Sequence, residues 1–195
     1  CFGGLHGRAL RKGDRLPIGK SRLSEAQRQR KPFGVRAPEH GDAPGEPTTL
    51  RVLPGPEAEQ FLQASRKQLH AEDWRITPQS NRMGSRLSGP ELKRRKGSTD
   101  MLSAGVVPGT VQVPPSGQPI ILMGDAQTTG GYPRIAVVIR ADLWKLAQAP
   151  LGGLLRLVET DEQSAREAWD ARRRYLAQVA QGLALMDWPG EHDGN

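Results

Sequence analysis

Polar side chains that could act on a substrate cluster in the stretch GDAQTTGGYP, Gly124 to Pro133. The stretch joins two apolar runs, PIILM and RIAVVI, which predict buried strands. A tight hairpin needs only about two to five linking residues, so this connection is longer than a turn requires. An ordinary polar surface loop is one interpretation, and a binding site at the end of a strand is the other.

A binding site in this loop is indicated by the combination of a carboxylate with amide, hydroxyl and backbone donors. Asp125, at the end of an apolar strand, is the predicted general base or cation holder. The two adjacent glycines can take positive φ and let a second molecule come close to the backbone, and their amides could meet an anion. Tyr132 has a structural alternative to substrate binding, because an aromatic residue before proline favours a cis peptide bond and a turn. The predicted substrate-binding residues of the loop are Gln127, Thr128, Thr129, Gly130, Gly131 and Tyr132.

Further candidates lie upstream, in NRMGSR and TVQV. Arg82 and Arg86 could bind a carboxylate or phosphate through forked, bidentate hydrogen bonds, with Arg82 predicted to be catalytic. The alternative is that both are surface arginines in ion pairs. Asn81 and Gln112 offer amide groups that could hold a lactam or a ureido ring. The sequence therefore predicts a site for a small polar compound with a negative charge.

Composition limits the classes of protein. The chain has 195 residues, of which 36% are hydrophobic and 5% aromatic, so we expect one core and a part that is not packed in it. The single cysteine, Cys1, excludes an internal disulfide framework, and the four histidines lack ligand spacing, so no metal site is expected. No apolar run approaches the roughly 20 residues of a membrane span. We therefore expect no membrane partner and a cytoplasmic location.

The net charge of +7 comes from two segments, 1–32 and 82–96, while the rest of the chain is acidic. No helix-turn-helix, zinc-finger or aromatic-interleaved strand motif accompanies this charge, so no nucleic-acid partner is expected. The GxxxxGK[ST] phosphate loop and the GxSxG nucleophile elbow are also absent from the sequence.

Short apolar runs between Gly and Pro turns predict most of the secondary structure. Strands are predicted in TLRVLP, WRITP, TVQV, PIILM, RIAVVI and LLRLVE, and the opening FGGLHGRALRKGDRL predicts a loop, a strand and a tight turn. The segment QSNRMGSRLSGPELKRRKGS contains alternation in its middle, which two glycines break. Helical spacing is seen around residues 58–69, in ADLWKLAQAP with a cap near Asp142, and over 161–183. The segment 20–47 has the composition of a mobile insertion. Many short strands and few helices favour a mainly β fold, a barrel or sandwich with appended helices.

Three of these segments, FGGLHGRALRKGD, TPQSNRMGSRL and the run from Gly105 to Gln148, resemble the allophanate hydrolase subunit 2 family, which is also called the biotin-dependent carboxyltransferase family. The resemblance covers Phe2 to about Glu162, with 20–47 poorly matched, and the remainder, 161–195, is expected to be an amphipathic helix and a disordered tail. It implies a cyclophilin-like β-barrel.

The resemblance also implies a function. Family members act on amides of small carbon-nitrogen compounds such as 5-oxoproline and urea. Opening the lactam of 5-oxoproline benefits from ATP, because amide nitrogen donates into the carbonyl and makes it a poor electrophile. The implied activity is that of a 5-oxoprolinase component that works with homologues of the A and B subunits, the latter similar to allophanate hydrolase subunit 1. ATP would be bound by this chain or by those partners.

Two alternatives stay open. One is a biotin-dependent carboxyltransferase acting on urea or a related amide. The other is a regulatory module without catalysis, since a related pair is named for its effect on a sporulation kinase.

Family members extend about a hundred residues before the point that matches Phe2. From this we expect an incomplete barrel with exposed strand edges, and a chain that alone is weakly stable or aggregation-prone and catalytically inactive. The alternative is that Gly4 to Pro17 closes a compact half by itself.

Overall fold

The structure is a computed structural model that describes residues 6–21, 23–25, 29, 34–35, 45–96 and 102–185. The chain forms two compact units, one of residues 37–178 and one that combines 1–36 with 179–195. Cys1, most of the predicted insertion at 20–47 and the predicted tail after Leu185 lie outside the described residues.

Every apolar run that predicts a strand between residues 45 and 160 forms one. The strands of the described residues are β1 (Thr48–Pro54), β2 (Asp73–Ile76), β3 (Gly84–Ser88), β4 (Ala104–Gly105), β5 (Thr110–Gln112), β6 (Ile120–Leu122), β7 (Thr129–Gly130), β8 (Arg134–Val138) and β9 (Leu154–Glu159). The mainly β class expected from the sequence is therefore confirmed.

Seven of these strands close into a barrel with the order β1-β8-β5-β6-β3-β2-β9. β1 pairs antiparallel with β8 and parallel with β9, where Leu50 lies opposite Leu157. The expectation of an incomplete barrel with exposed edges is wrong for this structure, because the parallel β1–β9 pairing closes the ring. Each barrel strand has two neighbours, so none presents a free edge. The remaining strands, β4 and β7, form a separate two-stranded sheet.

The barrel interior holds one apolar core. Alternate residues of β1 and β9 point inward, and Leu50, Leu155 and Leu157 are fully buried. Trp74 of β2 is also fully buried, and its indole Nε1–H donates to the Leu69 carbonyl at 3.0 Å. A Cβ at Gly89 would lie 2.7 Å from the Trp74 ring, so the tryptophan requires glycine at that position. Each buried large side chain contributes about 1.5–3 kcal/mol, so the barrel is the main source of stability.

The helices between residues 45 and 185 are α1 (Gln63–Ala71), α2 (Leu143–Gln148) and α3 (Glu162–Leu185), with short 3-10 helices at Ala58–Gln60 and Arg140–Asp142. α1 packs its buried Ser65 and Leu69 against the core. The long helix α3 follows the spacing seen in the sequence but has no buried residue. Its contacts include a cation–π pair in which Arg140 lies 4.3 Å from the Trp169 ring centroid.

The smaller unit contains the predicted tight turn. The Asp14 amide donates to the Arg11 carbonyl at 3.1 Å, and Gly13 has φ +95°, the left-handed conformation that favours glycine. The Arg8 guanidinium binds both Asp14 carboxylate oxygens, at 2.8 and 2.7 Å. No strand of the described residues forms before Thr48, so the strand predicted near Ala9 is absent there.

Candidate active site

Arg82 and Asp125 lie side by side at one end of the barrel. The Asp125 amide donates to the Arg82 carbonyl at 3.1 Å, and the Met123 amide donates to the Met83 carbonyl at 3.0 Å. These bonds extend the β3–β6 pairing beyond Gly84 and Leu122 and fix the two backbones. The side chains meet at 3.2 Å, between Arg82 Nε and Asp125 Oδ2. The structure thus brings together the two residues that the sequence predicted to be catalytic.

This ion pair is open to solvent, with 77% of the Arg82 side chain and 52% of the Asp125 side chain exposed. An exposed pair contributes roughly 0–1 kcal/mol to stability, so the fold does not depend on it. The contact uses the Nε of Arg82, and the terminal nitrogens of this exposed guanidinium take no part in it. That geometry suits bidentate binding of a carboxylate next to the Asp125 carboxylate.

Asn81 forms the turn that carries Arg82. Its Oδ1 accepts the Met83 amide at 2.9 Å and the Gly84 amide at 3.3 Å, and its backbone pairs with Gly84 in both directions. The side-chain oxygen of Asn81 therefore holds the turn that leads into β3. Asn81 shapes the site through the position of Arg82, and its amide nitrogen remains for a ligand.

Gln112 lies away from this pair. It is opposite Ile120 at the start of β6, whereas Gly84 of the Asn81 turn is opposite Leu122 at the end of that strand. Gln112 is 2% exposed, and its Nε2 donates to the Tyr132 carbonyl at 3.3 Å. The structure does not bring Gln112 and Asn81 to one ligand.

The structure shows the backbone conformation of the glycine pair. Neither Gly130 nor Gly131 has positive φ, so the left-handed conformation that glycine allows is not used here. A Cβ at position 130 would lie 2.5 Å from Nε2 of Gln112, so a larger residue there would displace that side-chain amide. The described residues contain no cis peptide bond, so the step before Pro133 is trans and the predicted cis turn is absent.

The loop between Asp125 and Pro133 is not a simple turn. Its residues 129–130 form β7, which pairs with β4, and the Thr128 carbonyl accepts the Val106 amide at 3.0 Å. The side chains predicted to bind substrate here are exposed, as is Arg86 on the outer face of β3. They are Gln127, Thr128, Thr129 and Tyr132.

A buried ionic cluster lies elsewhere and was missed by sequence reasoning. Asp142, predicted as a helix cap, makes no side-chain cap bond to α2. Its carboxylate instead accepts Arg51 Nε at 2.9 Å and Arg51 Nη2 at 2.8 Å, and Lys145 Nζ lies 3.6 Å away. Burial alone would raise the pKa of Asp142, but the Arg51 hydrogen bonds and the Lys145 charge lower it below its usual value. No local signal links residues 91 positions apart.

A second, partly buried ion pair connects β8 to the residue before the 3-10 helix at Ala58–Gln60. The Arg134 guanidinium donates to both Glu57 oxygens, at 2.8 and 2.7 Å, and Nη1 donates to the Gly105 carbonyl at 2.8 Å. The hydrogen bonds from Arg134 lower the pKa of Glu57, against the effect of burial. Arg134 thereby also joins the barrel to β4.

A small cavity of about 330 Å³ lies between α1 and the barrel. Among its lining residues, His70 has both ring nitrogens beside acceptors, Nδ1 at 3.1 Å from the Leu157 carbonyl and Nε2 at 3.3 Å from a Glu159 carboxylate oxygen. Within the described part of the chain, no three His, Cys, Asp or Glu side chains group as metal ligands, and no helix is long and apolar enough to cross a membrane.

Comparison with known proteins agrees with this architecture. The chain is 47% identical over 179 residues to the C subunit of 5-oxoprolinase from Escherichia coli, which covers 92% of the chain and 54% of the relative. It is 38% identical over 178 residues to the protein of the same name from Haemophilus influenzae, covering 91% of the chain and 54% of the relative. The chain thus spans about half the length of these relatives.

The fold is also found in a crystal structure of Kluyveromyces lactis urea amidolyase. The TM-score is 0.61 at 24% identity, over 65% of this chain and 8% of that one, which shows a shared fold. A family model described as the carboxyltransferase domain, subdomain A and B, matches residues 1–159. The resemblance seen in the sequence is confirmed, and the chain belongs to the carboxyltransferase-domain family of subdomains A and B.

Proposed function

We propose that this chain is part of a subunit of an ATP-dependent 5-oxoprolinase, which opens 5-oxo-L-proline to L-glutamate and releases ADP and phosphate. The main support is the 47% identity to a protein named as the C subunit of 5-oxoprolinase, over 92% of this chain. A second relative of the same name, 38% identical, supports the same assignment. The observation of the site that carries the proposal is the exposed Arg82–Asp125 pair.

The substrate explains why a cation and a carboxylate should be adjacent. 5-Oxoproline carries a carboxylate and a lactam on one small ring, and its opening adds water across the amide bond. In the proposal, Arg82 binds the substrate carboxylate through its terminal nitrogens, and Asp125 accepts a proton from the attacking water. ATP would supply activation of the lactam oxygen, which the amide needs because its carbonyl is a poor electrophile.

The other polar residues of this loop have supporting roles. Gln127, Thr128 and Thr129 lie two to four positions after Asp125 and are exposed, so they are in reach of a ligand that is held there. Arg86 lies on the outer face of β3, two residues beyond the turn, where it adds positive charge. Gln112 acts through Gly130 and Tyr132 and is a positioning residue in this account.

The word subunit in the names of the two relatives implies a complex, and we propose partners homologous to the A and B subunits of 5-oxoprolinase in a cytoplasmic assembly. The direct test is ADP release by the subunit that carries this sequence, assembled with both partners. Release that requires 5-oxoproline supports the proposal. A complex that assembles but shows no dependence on 5-oxoproline would refute it.

A biotin-dependent carboxyltransferase is the second candidate, because the matching family model is described as a carboxyltransferase domain. Such an enzyme would act on urea or a related amide with carboxybiotin from a carrier protein. Avidin separates the two candidates, since it sequesters biotin and inhibits only the carboxyltransferase. Activity that survives avidin and depends on 5-oxoproline supports the oxoprolinase.

A further inference from the structure

A cleft of about 530 Å³ lies between α2 and the first half of α3, and neither Arg82 nor Asp125 lines it. Four cationic side chains, two carboxylates and two aromatic rings contribute to its walls. Two positive charges in the cleft therefore have no counter-charge among the lining residues. The volume is within the roughly 300–1,000 Å³ of small-molecule sites.

The floor of the cleft is the buried ionic cluster. Asp142 is 1% exposed and receives Nε and Nη2 of Arg51, which fixes the orientation of that guanidinium. Lys145 Nζ is held by the Asp142 carboxylate at 3.6 Å and the Thr49 carbonyl at 3.4 Å. One carboxylate thus positions two cations and neutralises only one. The Arg51 side chain is still 33% exposed, so it remains accessible from the cleft.

The wall formed by α3 adds two more cations and one carboxylate, Glu167. Arg172 lies 5.4 Å from the Trp144 ring centroid and donates to the Ala141 carbonyl at 3.4 Å, so its position is fixed. Arg174 has no carboxylate within ion-pair distance among the described residues. An anionic ligand in the cleft would therefore supply the counter-charge that Arg174 lacks among the described residues.

We propose that this cleft binds a nucleoside triphosphate. The phosphates would lie against Arg51, Lys145 and Arg174, because guanidinium groups bind phosphate oxygens in forked pairs and lysine adds a point charge. The aromatic side chains of Trp144 and Tyr175 lie in the same cleft and provide surface for the base. A bare polyanion would not use these rings, which is the reason for assigning a nucleotide.

This assignment explains how the chain can bind ATP without a GxxxxGK[ST] loop, since side chains of β1, α2 and α3 replace the backbone cradle. It rests on the proposed function only for the choice of ATP as the probe. A cleft that does not bind ATP would not change the outcome of the 5-oxoproline assay of the complex. The nucleotide site and the 5-oxoprolinase assignment can therefore fail separately.

The experiment is calorimetric titration of the purified chain with ATP at low and at physiological salt. Arg174→Ala is expected to weaken ATP binding by about tenfold or more, since a charged hydrogen bond to phosphate is lost. The matched control is Arg173→Ala, which removes the same charge from the neighbouring position of α3 but does not line the cleft. It is expected to change affinity by less than about twofold at physiological salt, where charges outside the site are screened. Thermal melting of both variants verifies that they are folded.

Two further ligands test the phosphate and the nucleoside contributions to binding separately. Tripolyphosphate is expected to bind more weakly than ATP, and adenosine alone is expected not to bind detectably. Absence of ATP binding overturns the proposal. Equal losses in Arg174→Ala and Arg173→Ala also overturn it, because they would show attraction to a charged helix without a defined site. Equal affinities for ATP and tripolyphosphate overturn the nucleoside part.

Discussion

At the scale of single residues, Asp142 is the carboxylate on which the structure depends most. Asp142→Asn would leave Arg51 and Lys145 without their counter-charge in a buried place. We expect a loss of about 2–3 kcal/mol in the free energy of unfolding, less than the roughly 3–5 kcal/mol of a fully buried pair, because Arg51 is partly exposed. Urea denaturation measures this loss.

The control for Asp142 is a pair on the surface. Asp73 receives the Arg156 guanidinium at 2.7 and 2.9 Å with similar geometry, but nearly half of the Arg156 side chain is exposed. Asp73→Asn should cost only about 0.2–1 kcal/mol. Equal losses in the two variants would contradict the role given to burial.

Gly130 gives a second prediction at this scale. Gly130→Ala should displace the side-chain amide of Gln112, which is buried and bonded to the Tyr132 carbonyl, and should cost about 1 kcal/mol or more. Gly124→Ala is the matched control in the same loop, because nothing lies within 4 Å of its Cβ position. Melting temperatures compare the two. A neutral Gly130→Ala variant would show that Gln112 does not need this close approach.

The residues also show what sequence reasoning can find. Asp125 is recognisable because it follows an apolar strand, and Arg82 because it belongs to a pair of arginines four positions apart; antiparallel pairing brings the start of β3 to the end of β6. Gln112 looks equivalent in the sequence, yet it ends β5, which like β3 is antiparallel to β6, so it lies opposite Ile120 at the start of β6. Strand direction and partner are set by long-range packing, which local patterns do not contain.

At the scale of elements, α3 is a long helix attached by few contacts. Trp169→Ala removes the ring over which Arg140 lies and should loosen the helix while the barrel stays intact. Hydrogen exchange should show faster exchange in α3, with little change in β1 and β9. Leu176→Ala, on the same helix and 52% exposed, should leave exchange nearly unchanged. Faster exchange throughout the barrel of Trp169→Ala would contradict this independence.

The elements themselves were largely predictable, but their closure was not. Short apolar runs and helical spacing locate most of the barrel strands and the helices between residues 48 and 185, because burial leaves that pattern in the sequence. The parallel pairing of β1 with β9 joins segments about a hundred residues apart and has no local sign. The two-residue strands β4 and β7 are too short to carry any periodicity.

At the scale of the whole molecule, stability should fall in acid. Glu57 and Asp142 both have a pKa below the ordinary value in the folded state, so at acidic pH the unfolded chain binds more protons. Their contribution is complete above the ordinary carboxyl pKa of about 4 and is lost as pH falls through the lower folded values. Urea midpoints measured from pH 7 down to pH 3 should therefore decrease. A Glu57→Gln, Asp142→Asn double variant should show a shallower decrease, and equal slopes would contradict the assignment.

The closed barrel bears on how the chain behaves alone. Weak stability was expected because the barrel strands were expected to lack pairing partners. The barrel strands of the unit 37–178 are all paired, so this reason does not apply to that unit. Such a unit, with one buried core, is expected to melt in one cooperative transition.

The central claim is that the Arg82–Asp125 pair acts on a lactam in a 5-oxoprolinase complex, and the steady-state kinetics of Asp125→Asn test it most directly. The complex containing this variant should keep its partners and lose about 100-fold or more in kcat for 5-oxoproline-dependent ADP release, as expected for a lost general base. Glu91→Gln is the control, since Glu91 is 58% exposed and in a loose 3.9 Å ion pair with Lys93. An Asp125→Asn complex with the same kcat as the Glu91→Gln control would contradict the account.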